Sequence, residues 1–202
     1  KELPGDYRYV DANGDGIIDD NDRMPLFWSG TPLIHYGFNL EASWKNFDIY
    51  ALLQGAGMYT VQFSEVYAEV LWSKGANTPA YFYDRWRKED PYNPNSKWVA
   101  GKWPATRLIQ DTGAMYKESN IWRRDASYLR LKTLELGYTL PDSILRKSGI
   151  SNIRFYINGY NLLTFCDSFV KAFDPEKVEG SYSAGMNYPL TKSFNIGFTA
   201  NF

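Results

Sequence analysis

The chain holds a single cysteine, Cys166, and a single histidine, His35, in 202 residues. One cysteine excludes an internal disulfide framework and a cysteine-based zinc cluster. One histidine excludes a histidine-rich metal centre. No apolar run reaches the ~20 residues that a membrane-spanning helix takes. That excludes helical membrane proteins only, because a spanning β-strand takes ~9–11 residues and only half of them must be apolar. An excess of one charge is also missing: 22 Lys and Arg stand against 23 Asp and Glu. Without a basic field, nucleic acid is not expected as a partner. No Ser-His-Asp order, Gly-rich phosphate loop or recognisable carboxylate pair occurs, so no catalytic residue is assigned and no enzyme is expected. Cys166 has no general base nearby in sequence. Lys1 opens no signal peptide, so an exported protein would be represented here by a mature product or an internal piece.

Aromatic residues are abundant instead: 16 Tyr, 12 Phe and 7 Trp. Barrel walls concentrate them at both lipid–water boundaries, and carbohydrate-binding surfaces are also rich in them. Alternation is the second positive signal. The chain closes on "YPLTKSFNIGFTANF", where Phe194, Ile196, Phe198, Ala200 and Phe202 share one face of a strand. In "HYGFNLEASW", Tyr36, Phe38, Leu40, Ala42 and Trp44 lie opposite Gly37, Asn39, Glu41 and Ser43. "FDIYALLQG" follows after only Lys45 and Asn46, which predicts a tight hairpin.

A long irregular stretch then runs from about Gly55 to Arg124, with Pro79, Pro91, Pro94 and Pro104. Short helices are conceivable in "FSEVYAEVLWSKG" and "AYFYDRWRK". In "SYLRLKTLELGYTL" the phase slips once, with Leu129 and Leu131 on one face and Leu134, Leu136 and Tyr138 on the other; a bulge would reconcile them. "PDSILRKSGIS" is a turn with room for one helical turn. "NIRFYINGYNLLTF" sets Ile153, Phe155 and Ile157 opposite Arg154, Tyr156 and Asn158. A second loop covers 167–191. Short turns thus alternate with long loops, as in bacterial outer-membrane barrels with short periplasmic turns and long outer loops. Following the strands up and down puts Phe202 on the periplasmic side and the segment before His35 outside the cell.

The stretches "PGDYRYVDANGDGIIDDNDR", "YGFNLEASWKNFDIYALLQGAG", "ASYLRLKTLELGYTLP", "FYINGYNLLTF" with a later "DPE", and "YPLTKSFNIGFTANF" stand here in one order. Together they resemble the C-terminal part of the SusC/RagA-type TonB-dependent outer-membrane transporters of Bacteroidetes, over nearly the whole chain except 60–120. The resemblance implies an all-β fold: the C-terminal strands of a large antiparallel transmembrane β-barrel of about 22 strands with long extracellular loops. It divides the chain into an extracellular acidic loop (1–32), a hairpin (33–57), an extracellular loop (58–124) and the last three strands (125–202). The N-terminal plug and the TonB-contacting segment of such transporters are not in this sequence, and about five strands cannot close a barrel. The implied activity is TonB-energised import of a nutrient, an oligosaccharide first or else a peptide. The implied partners are a SusD-like surface lipoprotein, the rest of the barrel and plug, the TonB complex and outer-membrane lipid. Phe202 is similar to the terminal aromatic signal read by the outer-membrane assembly machinery.

"DANGDGIIDDND" carries calcium-loop spacing: Asp11, Asn13, Asp15, then Gly16, with Asp22 closing the loop. Calcium takes six to eight oxygens, and Ile17 would offer its carbonyl and Asp19 a water-mediated contact. Ile18 would pin the loop to a core. Asp22 replaces the usual Glu, "DYRYV" alternates like a strand, and Pro25 blocks a following helix. A structural Ca2+ ion is the expectation, and a solvated Asn/Gly turn is the plain alternative.

Of the loop aromatics, Tyr81, Phe82, Tyr83, Trp86, Trp98, Trp103 and Trp122 could face a partner, stack on a ligand or pack among themselves. Tyr81, Tyr83, Trp86, Trp98 and Trp103 are the partner or ligand candidates, and the family resemblance favours the lipoprotein. Asn39, Glu41, Asp48, Arg154 and Asn158 could line a wet lumen. The alternative function is a calcium-stabilised extracellular β-domain that binds glycans or adhesion partners. It leaves the regular alternation of turns and loops unexplained.

Overall fold

A computed structural model describes residues 3–25, 27–63, 78–106, 119–146, 149–177 and 187–202. Nine strands occur among them: β1 (Ile34–Trp44), β2 (Phe47–Gly57), β3 (Thr60–Gln62), β4 (Arg87–Lys88), β5 (Trp98–Val99), β6 (Arg123–Asp125), β7 (Tyr128–Thr139), β8 (Asn152–Phe165) and β9 (Ser193–Asn201). Among the described residues helix is confined to single turns, with α1 at Asp142–Leu145 and α2 at Ser168–Lys171. The expected helical turn after Pro141 is therefore present.

Five strands form one antiparallel sheet in the order β1-β2-β7-β8-β9. Lys45 and Asn46 join β1 to β2, and Lys45 takes a φ of 55° that non-glycine residues seldom adopt. Asn46 is held to β7 by Thr139, whose N–H donates to the Asn46 carbonyl at 2.8 Å. The expected bulge lies at Lys132. Leu53 pairs with Leu131 and Ala51 with Leu134, so the two halves of β7 present leucines to the same face. β8 answers with its own irregularity, pairing Leu163 with Leu131 and Tyr160 with Thr133. Asn161, inside that irregularity, has a φ of 54°.

The chain divides into two compact units. The first comprises 1–27 and 62–123, and its interior is aromatic. Phe63 and Phe82 are fully buried, and Trp103 and Trp122 stack with centroids 5.5 Å apart. The helix conceivable over "AYFYDRWRK" is not formed. Ala80–Tyr83 makes one 3-10 turn, and Trp86 N–H then donates to the Trp103 carbonyl at 2.8 Å, which draws the backbone out of helical bonding. The segment "FSEVYAEVLWSKG" lies, after Phe63, outside the described residues. The stretch "DYRYV" forms no strand.

The second unit, 28–61 and 124–202, holds the five-stranded sheet. Its apolar side chains are mostly not buried: Phe38, Leu40, Phe47, Phe155, Ile157, Ile196 and Phe198 are all exposed.

Candidate functional site

The register aligns side chains into rows that cross the sheet. Trp44, Phe47, Tyr138, Phe155 and Phe198 are successive cross-strand partners, one aromatic residue from each of the five strands. The next row on the same face is Ala42, Ile49, Leu136, Ile157 and Ile196. Leu40, Ala51, Leu134, Gly159 and Phe194 come next, then Phe38, Leu53, Leu131 and Leu163. The last row contains Tyr36, Gly55, Leu129 and Phe165. Along one strand these rows cover eight residue steps, about 26 Å at ~3.3 Å per residue. With the ~40° tilt of barrel strands that projects to about 20 Å, close to the ~25 Å apolar band of an outer-membrane barrel.

Two local arrangements sharpen the ends of this face. At the Lys45 turn, the ammonium lies 4.4 Å from the Trp44 ring centroid, and Phe47 and Tyr138 rings are 4.7 Å apart. At the other end the Tyr36 ring covers Gly55, and its hydroxyl donates to the Tyr128 carbonyl at 2.7 Å. Gly55 is required there because any side chain would meet that ring. A concavity of about 480 Å³ lies on this apolar face between Trp44, Leu136 and Ile157. It has almost no polar lining and suits acyl chains rather than a reacting group.

The opposite face is polar and internally bonded. Arg154 of β8 reaches Asp48 of β2 with both Nε and Nη2, and Nη2 also donates to Glu135 of β7 at 2.8 Å. The guanidinium crosses over Gly137, where a Cβ would collide with both Arg154 and Asp48. Asn158 donates to Glu135 at 3.2 Å, and Asn195 donates to Asn158 at 2.9 Å. Tyr50 donates to Asn39 at 3.4 Å. Of the five residues assigned to a wet face, the structure gathers Asp48, Arg154 and Asn158. It adds Glu135 and Gly137, which sequence reasoning missed. Asn39 stands one strand away, and Glu41 is exposed at the sheet edge.

A second charged cluster lies on the same face near the far end. Arg130, 3% exposed, donates to Asp174 at 2.6 Å and to Thr164 at 2.9 Å, with Glu176 at 3.3 Å. Lys132 donates to Glu176 at 2.7 Å. Asp174 also accepts from the N–H groups of Glu176 and Leu190, at 3.0 and 2.8 Å. One carboxylate thus ties both ends of the loop before β9 to the wall. Breaking a buried pair of this kind costs ~3–5 kcal/mol because the surviving charge is left unmatched. The neighbouring Cys166 thiol is pushed up by burial, away from the thiolate form that reacts.

The acidic loop satisfies its own backbone. Asp11 accepts from Gly14 and Gly16 at 2.6 and 2.7 Å, and Asn13 from Asp15 at 2.9 Å. Asp15 accepts from Ile17 at 2.7 Å, and Asp19 from Asn21 at 2.8 Å. Asp22 folds back to accept from Ala12 and Asn13, at 2.8 and 3.3 Å, and from Asp19 at 2.8 Å. Its carboxyl is held below the usual value, chiefly by the Asp19 and Ala12 N–H groups. The six expected ligand positions therefore share one closed loop. Among the described residues, no three His, Cys, Asp or Glu side chains are gathered as a metal would need. Ile18 does not pin the loop: it is 49% exposed, and Ile17 64%.

The candidate loop aromatics separate by burial. Trp103 is inside, against Tyr81 and Phe82 at 5.0 and 5.5 Å, and offers no free face. Trp86 is half-buried against Gly5, and Trp98 carries the Lys88 ammonium 4.7 Å above its ring. Tyr83 is exposed, as is Tyr92, which the sequence did not single out. Phe202 lies just past β9, 89% exposed.

An uncovered apolar face banded by aromatics, a bonded polar face and antiparallel up-and-down strands define a segment of transmembrane β-barrel wall. The sheet is open because the chain supplies part of the wall. No protein-family model matches the chain. Two curated proteins of Formosa agariphila do. "TonB-dependent receptor P3" is 32% identical over 210 residues, covering 98% of this chain and 19% of the relative. "TonB-dependent receptor P26" is 30% identical over 217 residues, covering 100% and 20%. Among solved structures, the RagAB peptide importer in its closed-closed state superposes with a TM-score of 0.65 at 26% identity, over 97% of this chain and 20% of that one. Its open-open state gives 0.63 at 25% identity, over 92% and 19%. The chain belongs to the TonB-dependent receptors, and it spans about a fifth of the length of the curated relatives it matches.

Proposed function

We propose that the chain is a C-terminal portion of a SusC/RagA-type importer that draws a nutrient across the outer membrane, energised through the TonB complex. The observation that carries this reading is the set of aligned outward apolar rows, wholly aromatic at the Lys45 end, aliphatic in the next row, and with Tyr36, Phe38 and Phe165 toward the other end. A water-soluble sandwich would bury those rows against a second sheet. Cargo would be held between the barrel and a SusD-like surface lipoprotein, and Tyr83, the exposed one of the candidate aromatics, would meet that partner. An oligosaccharide remains the first cargo class. A peptide is the second reading, favoured by the likeness to a peptide importer.

Two measurements test the proposal on the complete transporter. A fluorophore at Ile157→Cys, in a Cys166→Ser background, is expected to be quenched by brominated lipid, while Asn158→Cys reacts with a water-soluble maleimide. The reverse pattern overturns the membrane reading. Deletion of the gene is expected to abolish uptake of one labelled pool, oligosaccharides or oligopeptides, and undiminished uptake of both rejects the importer.

The same reading keeps the acidic loop as a structural calcium site formed by Asp11, Asn13, Asp15, the Ile17 carbonyl, Asp19 and Asp22, whose carboxylates the ion would have to draw together from the separate positions they hold here. Each carboxylate has lone pairs beyond those its N–H partners use, and the return of Asp22 to residues 12 and 13 brings the loop ends together. Calorimetry is expected to show saturable binding below ~1 mM calcium, the range of extracellular modules, lost in Asp15→Ala. An absence of heat removes the ion and leaves a self-bonded turn.

A further inference from the structure

β9 pairs with β8 only as far as Tyr160 and Ser193, although β8 continues to Phe165. Beside that unpaired end lies a cavity of about 230 Å³, bounded on the other side by Pro189, Leu190 and Lys192. Leu163 and Phe165 line it, and both belong to the outward apolar rows, where they are 52% and 62% exposed. Three cations line it as well: Arg130, Lys171 and Lys192. Arg130 is spent on Asp174 and Glu176. Lys171 and Lys192 are exposed and have no ion-pair partner among the described residues, so these two cations face the cavity unpaired by any described carboxylate. Asn161 Oδ1, also at this cavity, is buried without a hydrogen-bond donor among the described residues. A buried acceptor of that kind asks for a donor from outside the protein.

We infer that this notch is a binding site for a phosphate-bearing lipid headgroup of the outer leaflet. The inference rests on the reading of the apolar rows as lipid-facing. The site stands at the opposite end of those rows from the Lys45 turn, where outer-leaflet headgroups meet the wall. Lys171 and Lys192 would take the phosphate, a headgroup hydroxyl would donate to Asn161, and Leu163 and Phe165 would pack the first carbons of the chains. Lysines placed at a headgroup layer favour anionic over neutral lipid. Asp174 contributes indirectly, because its bonds to Arg130 and Leu190 hold the rear of the cavity in place.

The test uses the complete transporter in detergent, with dioleoyl phosphatidic acid or dioleoyl phosphatidylcholine added and retention counted by native mass spectrometry. The wild type is expected to retain phosphatidic acid preferentially. Lys171→Ala with Lys192→Ala should weaken that retention by on the order of five-fold per lysine. Lys171→Arg with Lys192→Arg should restore it, and phosphatidylcholine should be indifferent to all four changes. Phosphatidic acid held equally by wild type and the alanine pair overturns the site. Displacement of phosphatidic acid by equal inorganic phosphate or a free peptide carboxylate also overturns it, in favour of a site for soluble anions. A transporter that retains neither lipid counts against the membrane reading itself, which separates that failure from failure of the notch.

Discussion

The two units use the same residue types in opposite ways. In 1–27 and 62–123, Phe63, Phe82, Trp103 and Trp122 are packed inside and Tyr83 and Tyr92 are surface residues. In the five-stranded sheet, Phe47, Phe155, Ile157, Ile196 and Phe198 point outward, while Asp48, Arg154, Glu135 and Asn158 bond to one another on the other face. Burial of one such apolar side chain is worth ~1.5–3 kcal/mol in water, so the sheet would forgo that gain many times over. It does not forgo it if hydrocarbon is the solvent on that side. The first unit folds by water's rules and the second by the bilayer's.

Four experiments, two of them with a second variant as comparison, break or sharpen this contrast. Phe82→Ala should cost the first unit ~3–5 kcal/mol, the usual result of emptying a packed aromatic site. Protease susceptibility of the complete transporter should rise at that unit while barrel migration on an unheated gel stays unchanged. Leu134→Arg, in the middle of the five rows, should do the converse, costing ~2–4 kcal/mol near the bilayer midplane. It should be visible as a lower denaturant midpoint for the barrel, whereas Tyr83→Arg should leave that midpoint unmoved.

Gly137→Ala should cost about 1 kcal/mol, because the part-exposed Arg154 pairs would be displaced rather than left buried. After Gly137→Ala, Asp48→Asn should add nothing further, and a second full penalty would show that Arg154 does not need the glycine. The smallest effect is expected at Asp22. Its folded carboxyl titrates below the ordinary value, so loop closure is fully supported above about pH 4. Closure is lost as the pH falls through the lower folded value. Amide exchange at Ala12 and Asp19 should quicken under acid, and exchange that ignores pH would assign the closure to other bonds.

What could be read from the sequence follows from where the two solvents act. The β1–β2 hairpin, the slip at Lys132 and the terminal strand were legible because lipid on one face and water on the other impose a period of two. The matching irregularity at Asn161 was not, because "NGYNLL" mixes small, polar and apolar residues without a clean change of phase. The loop aromatics carried no period, so Trp103 and Tyr83 looked alike until packing separated them. The Arg130–Asp174 pair was beyond reach for another reason: 44 residues separate the partners, and no local pattern announces them. Glu135 was passed over because its partners, Arg154 and Asn158, sit on the neighbouring strand 19 and 23 residues further along the chain.

The row from Trp44 to Phe198 works as a waterline drawn across five separate ribbons. Each ribbon meets it at a residue set by register alone, so adding or removing two residues within any strand would lift one ring out of level by a full step. Length changes are therefore cheap in the stretches that join ribbons at the far end of the sheet and dear between that end and this line. Immersion depth, more than shape, is what that row of rings preserves.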